Sequence, residues 1–378
     1  MILFIGNYTD NETYKLITEN GVRDLSQASR LFQERFILQL SRVCPDFKAI
    51  SIIPSRSDLS IPDSIYLENI QLRTVCLDQS KLSQYKEAMN RVTEIVLGCI
   101  GKYGHVNVVM YAINPIALLP LLRQRKRNDI EITTICPELP EFRRYRKTAK
   151  NEIKRNIFRI LNRCFDKYIL FAESMSEYIP SKKKWIVLEG FAPEISCNAL
   201  RSKKNIAMYA GGLAADNGIQ LMIEVANRLD TLDELWICGV GDCQNIVEKS
   251  VNEKIRYFGR VDNKTVVNME NQATVLLNLR NPSDPLTQFS FPSKIMEYMA
   301  SGTLVLSTKL MGISKEYYNY IHTLEDYTVD GVCQLLNKMF SIGEEEYVAQ
   351  CTKALEFIET KRASNRMREV LYFLEERQ

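Results

Sequence analysis

Residues 275–307 read as strand, loop, helix, strand, and that order constrains the fold more than any other stretch of the 378-residue chain. The run 275–279 is short, branched and largely apolar, as a buried parallel strand requires. It breaks at Asn281, Pro282, Asp284 and Pro285 into a polar loop. A helix follows, with Ser293 as its expected N-cap, Ile295, Met296 and Met299 along one side, and Gly302 just past its end. A second buried strand is expected at 304–307. Such a unit sets the loop and the helix N-terminus at the carboxyl edge of a parallel sheet, where open α/β sheets bind ligands and free N–H groups favour a phosphate. Arg280 and Lys294 sit at that edge, and Glu297, three residues after Lys294, faces the same ligand. The same spacing equally suits an ordinary surface ion pair between Lys294 and Glu297.

The rest of the chain repeats the alternation. Apolar strands are expected at 2–5, 49–53, 106–111, 130–135, 165–171 and 185–189, then at 206–209, 235–242 and 255–258. Between them Ala28, Leu31, Phe32, Phe36 and Leu40 recur at helical spacing, as do the apolar residues of 84–101 and Leu221, Met222, Val225 and Leu229. Alternating β and α means a doubly wound sheet. A chain of this length suggests two domains, and 46% hydrophobic residues with 25% charged suffice for two cores. The polar connection 192–205 has no period, so the division is expected at 1–195 and 196–360, with 361–378 a final helix whose apolar face is Met367, Val370, Leu371 and Leu374.

Other features exclude whole classes of function. The ten cysteines show no C-x-x-C spacing and several fall in apolar runs, so they read as reduced core residues. With two histidines, His105 and His322, no metal site is expected, and His105, just before a strand, reads as structural. The expected compartment is the cytoplasm: residues 1–6 form a strand that meets Asn7 and Tyr8, unlike a signal peptide. No run approaches the roughly 20 apolar residues that span a bilayer.

Charge is unevenly placed. The net charge is only +3, yet 143–163 carries nine lysines and arginines against one acid, Glu152, interleaved with Ile153, Ile157, Phe158, Ile160 and Leu161. Residues 121–127 add four more basic residues. A helix through 143–163 has the composition of one lying on an anionic membrane surface, and a solvated helix face is the plainer reading of the same residues. Without an aromatic platform or a binding motif, nucleic acid is not expected as a partner.

The strings F-P-S-K and I-M-E-Y-M-A-S-G, with L-x-N-x-R ending the strand before them, resemble the donor-binding segment of GT-B glycosyltransferases of the family 4 type, especially those that build bacterial surface polysaccharides. The resemblance covers chiefly 206–308, with weaker matches at 136–142 and 188–190. It implies two Rossmann-like domains facing a cleft, a nucleotide-sugar (by resemblance a UDP-sugar) held by the second, and a final helix returning to the first. The nucleotide-sugar is a substrate, and no cofactor or metal is implied.

By that resemblance Glu297 binds the ribose hydroxyls, Gly259, Arg260 and Val261 contact the nucleobase, and Gly211, Gly212 and the segment Ser290, Phe291, Pro292, Ser293 and Lys294 surround the donor. The family places an arginine where this chain has Gly212, a lysine at Asn217, and a further glutamate eight residues before Glu297, where Phe289 stands, or Thr287 with a shift of two. Charge compensation for a diphosphate therefore falls to Arg280, Lys294 and the helix N-terminus. On the acceptor side the resemblance points to Gly21, Arg23 and Gln27, and to Glu138 in the string E-L-P-E as a catalytic contact, although Glu138 equally suits a helix-initiating acid. The implied activity is retaining, metal-independent transfer of a sugar to a glycan or lipid-linked acceptor, by a protein attached peripherally to the inner face of the cell membrane. A non-catalytic partner subunit or a nucleotide-sugar epimerase of the same fold are the alternatives, the epimerase disfavoured by the scarcity of histidine.

Overall fold

Strands of near-continuous Val, Ile and Leu can be buried only where helices cover both faces of a sheet, and two such sheets form here. The computed structural model describes residues 1–22, 26–56, 58–78, 82–142, 148–195 and 201–376. It divides into one unit of Met1–Phe171, Met175–Leu188 and Ala363–Gln378 and another of Ala172–Ser174 and Glu189–Arg362.

The first unit holds β1 (Ile2–Gly6), β2 (Phe47–Ser55), β3 (Ser64–Leu67), β4 (Ile70–Asp78), β5 (Val106–Tyr111), β6 (Ile130–Cys136), β7 (Lys167–Leu170) and β8 (Lys184–Val187), in the order β3-β4-β2-β1-β5-β6-β7-β8. Its helices are α1 (Asn11–Glu19), α2 (Gln27–Val43), α3 (Leu82–Tyr103), α4 (Pro115–Gln124) and α5 (Ala149–Asn162). All residues of β1 and β5 are buried, and α2, capped by Ser26, buries Phe36, Ile37 and Leu40. One edge departs from the parallel pattern. β3 pairs antiparallel with β4 across a tight turn in which Glu68 takes φ +50°, a hairpin whose alternating polar and apolar residues mark a sheet edge.

The second unit holds β9 (Ile206–Ala210), β10 (Glu234–Cys238), β11 (Ile255–Tyr257), β12 (Val275–Asn278), β13 (Leu304–Thr308) and β14 (His322–Leu324), all parallel, in the order β11-β10-β9-β12-β13-β14. Its helices are α6 (Ile219–Arg228), α7 (Gln244–Ser250), α8 (Asn263–Gln272), α9 (Pro285–Gln288), α10 (Lys294–Ala300), α11 (Val329–Phe340) and α12 (Glu344–Thr360). α6, α7 and α11 pack in one core cluster, α8 and α10 in the other, and α12 contributes to both. The strand order reverses between β9 and β12, which opens a crevice at their carboxyl ends.

Three local expectations are corrected. β10 ends at Cys238 rather than at Asp242, because a Cβ on Gly239 would lie 1.8 Å from the Gly211 carbonyl, an approach only glycine permits. Ser293 is itself helical and its side chain makes no capping bond. Residues 189–195 go with the second unit: the Ala192 N–H donates to the Lys361 carbonyl at 3.1 Å, and the Ser314 hydroxyl to Glu189 Oε1 at 2.8 Å.

The last helix, α13 (Ala363–Glu375), packs in the first unit through Met367, Val370, Phe373 and Leu374. Its end is held by a buried cation. Lys167, 0% exposed on β7, donates to Glu131 Oε2 at 2.7 Å and to the carbonyls of Phe373 at 3.0 Å, Leu374 at 3.2 Å and Glu376 at 2.5 Å. An ammonium at a helix C-terminus satisfies carbonyls that have no partner within the helix. Lys167→Met should therefore destabilise the first unit by about 3–5 kcal/mol in urea unfolding, since it strands the Glu131 carboxylate and these carbonyls. A loss under about 1 kcal/mol would show that the ammonium is replaceable by packing.

Candidate functional site

At the crevice of the second sheet the chain turns are tied to one another through backbone. Gly211 N–H donates to the Cys238 carbonyl at 3.0 Å and Gly239 N–H to the Gly259 carbonyl at 2.7 Å, which aligns the turns after β9, β10 and β11. The Tyr209 phenol and the Asn217 amide both donate to the Gly212 carbonyl, each at 2.8 Å. Asn217 thus braces the loop where the family carries a cation. Across the reversal point the Asn281 N–H donates to the Asp216 carbonyl at 2.8 Å. Gly218, at φ +76°, lets that loop close on β12, because a Cβ there would lie 2.0 Å from the Leu279 carbonyl.

Arg280 leaves the end of β12 beside this loop. One of its terminal nitrogens donates to the Ser290 hydroxyl at 3.2 Å. Its charge also reaches Tyr209, whose phenol is pushed up by burial and drawn partly back by the guanidinium. The glycine loop and Arg280 therefore flank the same crevice.

α10 supplies the other charges. The Tyr298 phenol, wholly buried, accepts from the Ala210 N–H at 3.0 Å and donates to the Ala210 carbonyl at 3.2 Å, fastening the helix to the last residue of β9. Ile295, Met296 and Met299 are buried on the same helix, while Lys294 and Glu297 lie on its partly open side and pair at 2.5 Å. The two residues thus form an i,i+3 ion pair. The Ile295 N–H bonds the Pro292 carbonyl at 2.9 Å and the Met296 N–H that of Ser293 at 3.1 Å. Those two donors are taken up within the turn and are not offered to a ligand.

The remaining donor candidates divide between scaffold and surface. Phe291 and Pro292 are buried, with the Phe291 ring 5.0 Å from that of Tyr317, so their side chains are core. Ser293 and Arg260 are exposed, and Val261 packs partly against the core. Phe289 and Thr287 are buried, and the Thr287 hydroxyl bonds the Asp284 and Asn281 carbonyls, so no carboxylate stands where the family has its earlier glutamate.

In the first unit Gly21 (φ +63°) follows α1 and Gln27 opens α2, both exposed, while Arg23 lies outside the described residues. Glu138 is exposed just after β6, its carbonyl accepting from the Cys136 thiol at 3.5 Å. His105 bonds Asn107 through its ring Nε2 at 3.0 Å. Among the described residues there is no group of three or more His, Cys, Asp or Glu placed to hold a metal ion, and no helix is long and apolar enough to cross a membrane.

Three polar residues of the core escape a reading of the sequence. Gln33 accepts from the Asn7 N–H at 2.9 Å and donates to the Asn7 side chain at 2.8 Å, fixing the turn after β1. Tyr298 looks like any apolar helix position. Glu270, on α8, is 1% exposed, and its Oε1 has no hydrogen-bond partner. Burial pushes its carboxyl up to about 7, with Lys294 opposing and Glu297 adding to the rise. A signal exists for it: Glu270 lies four residues after Val266, on the apolar side of its helix.

With the geometry in place, likeness to known proteins can be stated. Residues 204–337 match the family described as Glycosyl transferases group 1. No curated protein sequence matches the chain. Among solved structures it is similar to the lipopolysaccharide outer core galactosyltransferase WaaB in its apo form, at 13% identity and TM-score 0.67, over 98% of each chain. It is similar to the structure described as trehalose-6-phosphate from E. coli bound with UDP-2-fluoro glucose, at 8% identity and TM-score 0.67, over 100% of each chain. It is also similar to Alr3699/HepE of Anabaena in complex with UDP and glucose, at 11% identity and TM-score 0.64, over 99% of this chain and 100% of that one. With its two largely parallel sheets covered by helices, the chain has the GT-B glycosyltransferase fold of these structures.

Glu270 gives the site a measurable pH dependence. In the folded chain its carboxyl is pushed up to about 7 while an unfolded glutamate ionises near 4.3, so folded stability should fall as pH rises from about 4.5 to above 7. The part of that fall owed to Glu270 is on the order of 3 kcal/mol. Urea unfolding of wild type and Glu270→Gln across this range should show a flatter curve for the variant, and identical slopes would mean the carboxyl ionises as freely as in water.

Proposed function

From a chain that carries a glycosyl transferases group 1 domain at 204–337 on the GT-B fold, we propose a retaining glycosyltransferase that moves a sugar from a UDP-sugar to a glycan or lipid-linked acceptor in surface polysaccharide assembly. One observation carries the reading: at the point where the strand order reverses, Arg280 follows β12, and the helix that bears the Lys294–Glu297 pair is fastened through Tyr298 to Ala210, the residue before the Gly211–Gly212 loop. A diphosphate there meets two cations, and a ribose meets a carboxylate that accepts from both hydroxyls. The UDP in the HepE structure and the UDP-2-fluoro glucose in the E. coli structure support the choice of donor, and the galactosyltransferase WaaB supports a surface glycan as product.

The mechanism follows from where charge grows. As the sugar–phosphate bond breaks, negative charge develops on the leaving diphosphate, and Arg280 and Lys294 are already in place to stabilise it. The reaction therefore proceeds without a metal ion, by front-face displacement, with Gly259, Arg260 and Val261 on the nucleobase and Gly21, Arg23, Gln27 and Glu138 on the acceptor. Because Gly212, Asn217, Thr287 and Phe289 lack the family's charges, a non-catalytic partner subunit is the second reading, and turnover of UDP-sugars separates the two.

Attachment to an anionic membrane surface is part of the proposal. On α5 the isoleucines Ile153, Ile157 and Ile160 are 63%, 49% and 66% exposed, and Lys150, Lys154, Arg155 and Arg159 are interleaved with them, while 143–147 lie outside the described residues. An unburied apolar stripe among cations matches an anionic interface better than it matches water.

Two outcomes follow. Anionic vesicles should bind the protein and release it as salt rises, each basic residue contributing on the order of 1 kcal/mol, and serine at Ile153, Ile157 and Ile160 should weaken this. Equal binding to neutral vesicles, or none to either, contradicts it. At the donor site, Glu297→Gln should weaken UDP binding by about 1–3 kcal/mol and remove discrimination against 2′-deoxy-UDP, with the fold intact. A variant that unfolds, while its folded fraction still discriminates, would make the pair purely structural.

A further inference from the structure

A cavity of about 740 Å³ opens in the first unit at the amino edge of its sheet, where β2 and β4 begin. Gln27, which opens α2, and Glu138, which follows β6, lie at the opposite, carboxyl edge. The buried part of the lining includes Leu3 of β1, Ala49 of β2 and Cys99 of α3. On the side of α3 the helix carries Gly98, and a Cβ there would meet nothing within 4 Å. Short of proline, glycine is the residue least favourable to a helix interior, so the stability of α3 does not call for it. Its effect is to leave the cavity open. Small-molecule sites occupy roughly 300–1,000 Å³, and this cavity falls within that range.

Two cations on the lining are uncommitted. The register sets Ile50 against Arg73, and Lys48 precedes Ile50 by two residues, so Lys48 and Arg73 stand on one face of the sheet. Among the described residues neither forms an ion pair, and the Lys48 ammonium lies 5.8 Å from the centroid of the Tyr103 ring. The third cation of the lining, Arg91, is engaged by Asp63 at 2.7 Å. α2 ends at this edge, and a helix C-terminus carries partial negative charge, so an anion here depends on the side-chain cations. Asp63 and Glu94 also line the cavity. Carboxylates repel an anion but accept hydrogen bonds from hydroxyls, so the lining suits a ligand with a phosphate at one end and hydroxyls at the other. We propose that this cavity binds a phosphorylated sugar, with its phosphate on Lys48 and Arg73 and its hydroxyls toward Asp63 and Glu94. None of these residues belongs to the donor or acceptor sites proposed above.

Calorimetric titration of the full chain with glucose 6-phosphate and with glucose 1-phosphate tests this, against glucose and inorganic phosphate. At least one of the two hexose phosphates should bind, about tenfold or more tightly than either comparison compound. Lys48→Ala/Arg73→Ala should weaken that binding by about tenfold or more, and since both residues are exposed the fold should hold. Gly98→Leu should remove binding by filling the cavity while leaving the Tm unchanged or higher, because leucine favours a helix where glycine does not. Failure of both hexose phosphates to bind overturns the proposal. Glucose binding as tightly would deny the phosphate its part, and inorganic phosphate binding as tightly would deny the sugar its part; either overturns it. Binding that survives in either variant with the fold intact also overturns it, by placing the ligand elsewhere on the chain.

Discussion

The two hydrogen bonds between the Tyr298 phenol and the backbone of Ala210 set the geometry on which the site depends. A strand's last residue has spare backbone groups at the sheet edge, and a buried phenol can satisfy a donor and an acceptor there at once. Because both bonds run to one residue, they fix α10 along β9 as well as against it. Lys294 and Glu297 are carried on the helix that Tyr298 fastens to the strand end before the Gly211–Gly212 loop. The interaction is buried, so losing it leaves polar groups without water as a substitute.

Upon that frame the charges are arranged economically. Arg280 is steadied by Ser290 and Lys294 by Glu297, so each cation has a partner within the chain. Gly218 and Gly239 let the backbone come close, and Asn217 braces the loop through the Gly212 carbonyl. Burial pushes the Glu270 carboxyl up to about 7, with Lys294 opposing and Glu297 adding to the rise.

Much of this was legible in the sequence, because parallel strands covered on both faces announce themselves as short apolar runs, and the motif around Lys294 and Glu297 carries its spacing with it. The β3–β4 hairpin was not, since both strands are short of a continuous apolar run and the turn depends on a left-handed Glu68. The end of β10 was overrun because periodicity cannot report that Gly239 must pass within contact of Gly211. The roles of Tyr298, Gln33 and Glu270 were hidden for a shared reason. Each is a polar group in an apolar position, and only its three-dimensional neighbours decide whether it is bonded, charged or neutral. Conversely Phe291 reads as part of a binding string yet packs against Tyr317, because a motif specifies backbone placement more firmly than side-chain direction.

The central claim is that Arg280 and Lys294, rather than a metal ion, hold the donor's diphosphate. Calorimetric affinities of UDP and uridine, measured in EDTA for wild type and for the Arg280→Ala/Lys294→Ala double variant, test it most directly. The account predicts that wild type prefers UDP to uridine with EDTA present, and that the double variant binds uridine nearly as before while losing most of that preference, roughly 3 kcal/mol for two charge-assisted contacts. A preference for UDP that vanishes in EDTA, or that survives intact in the double variant, would contradict it.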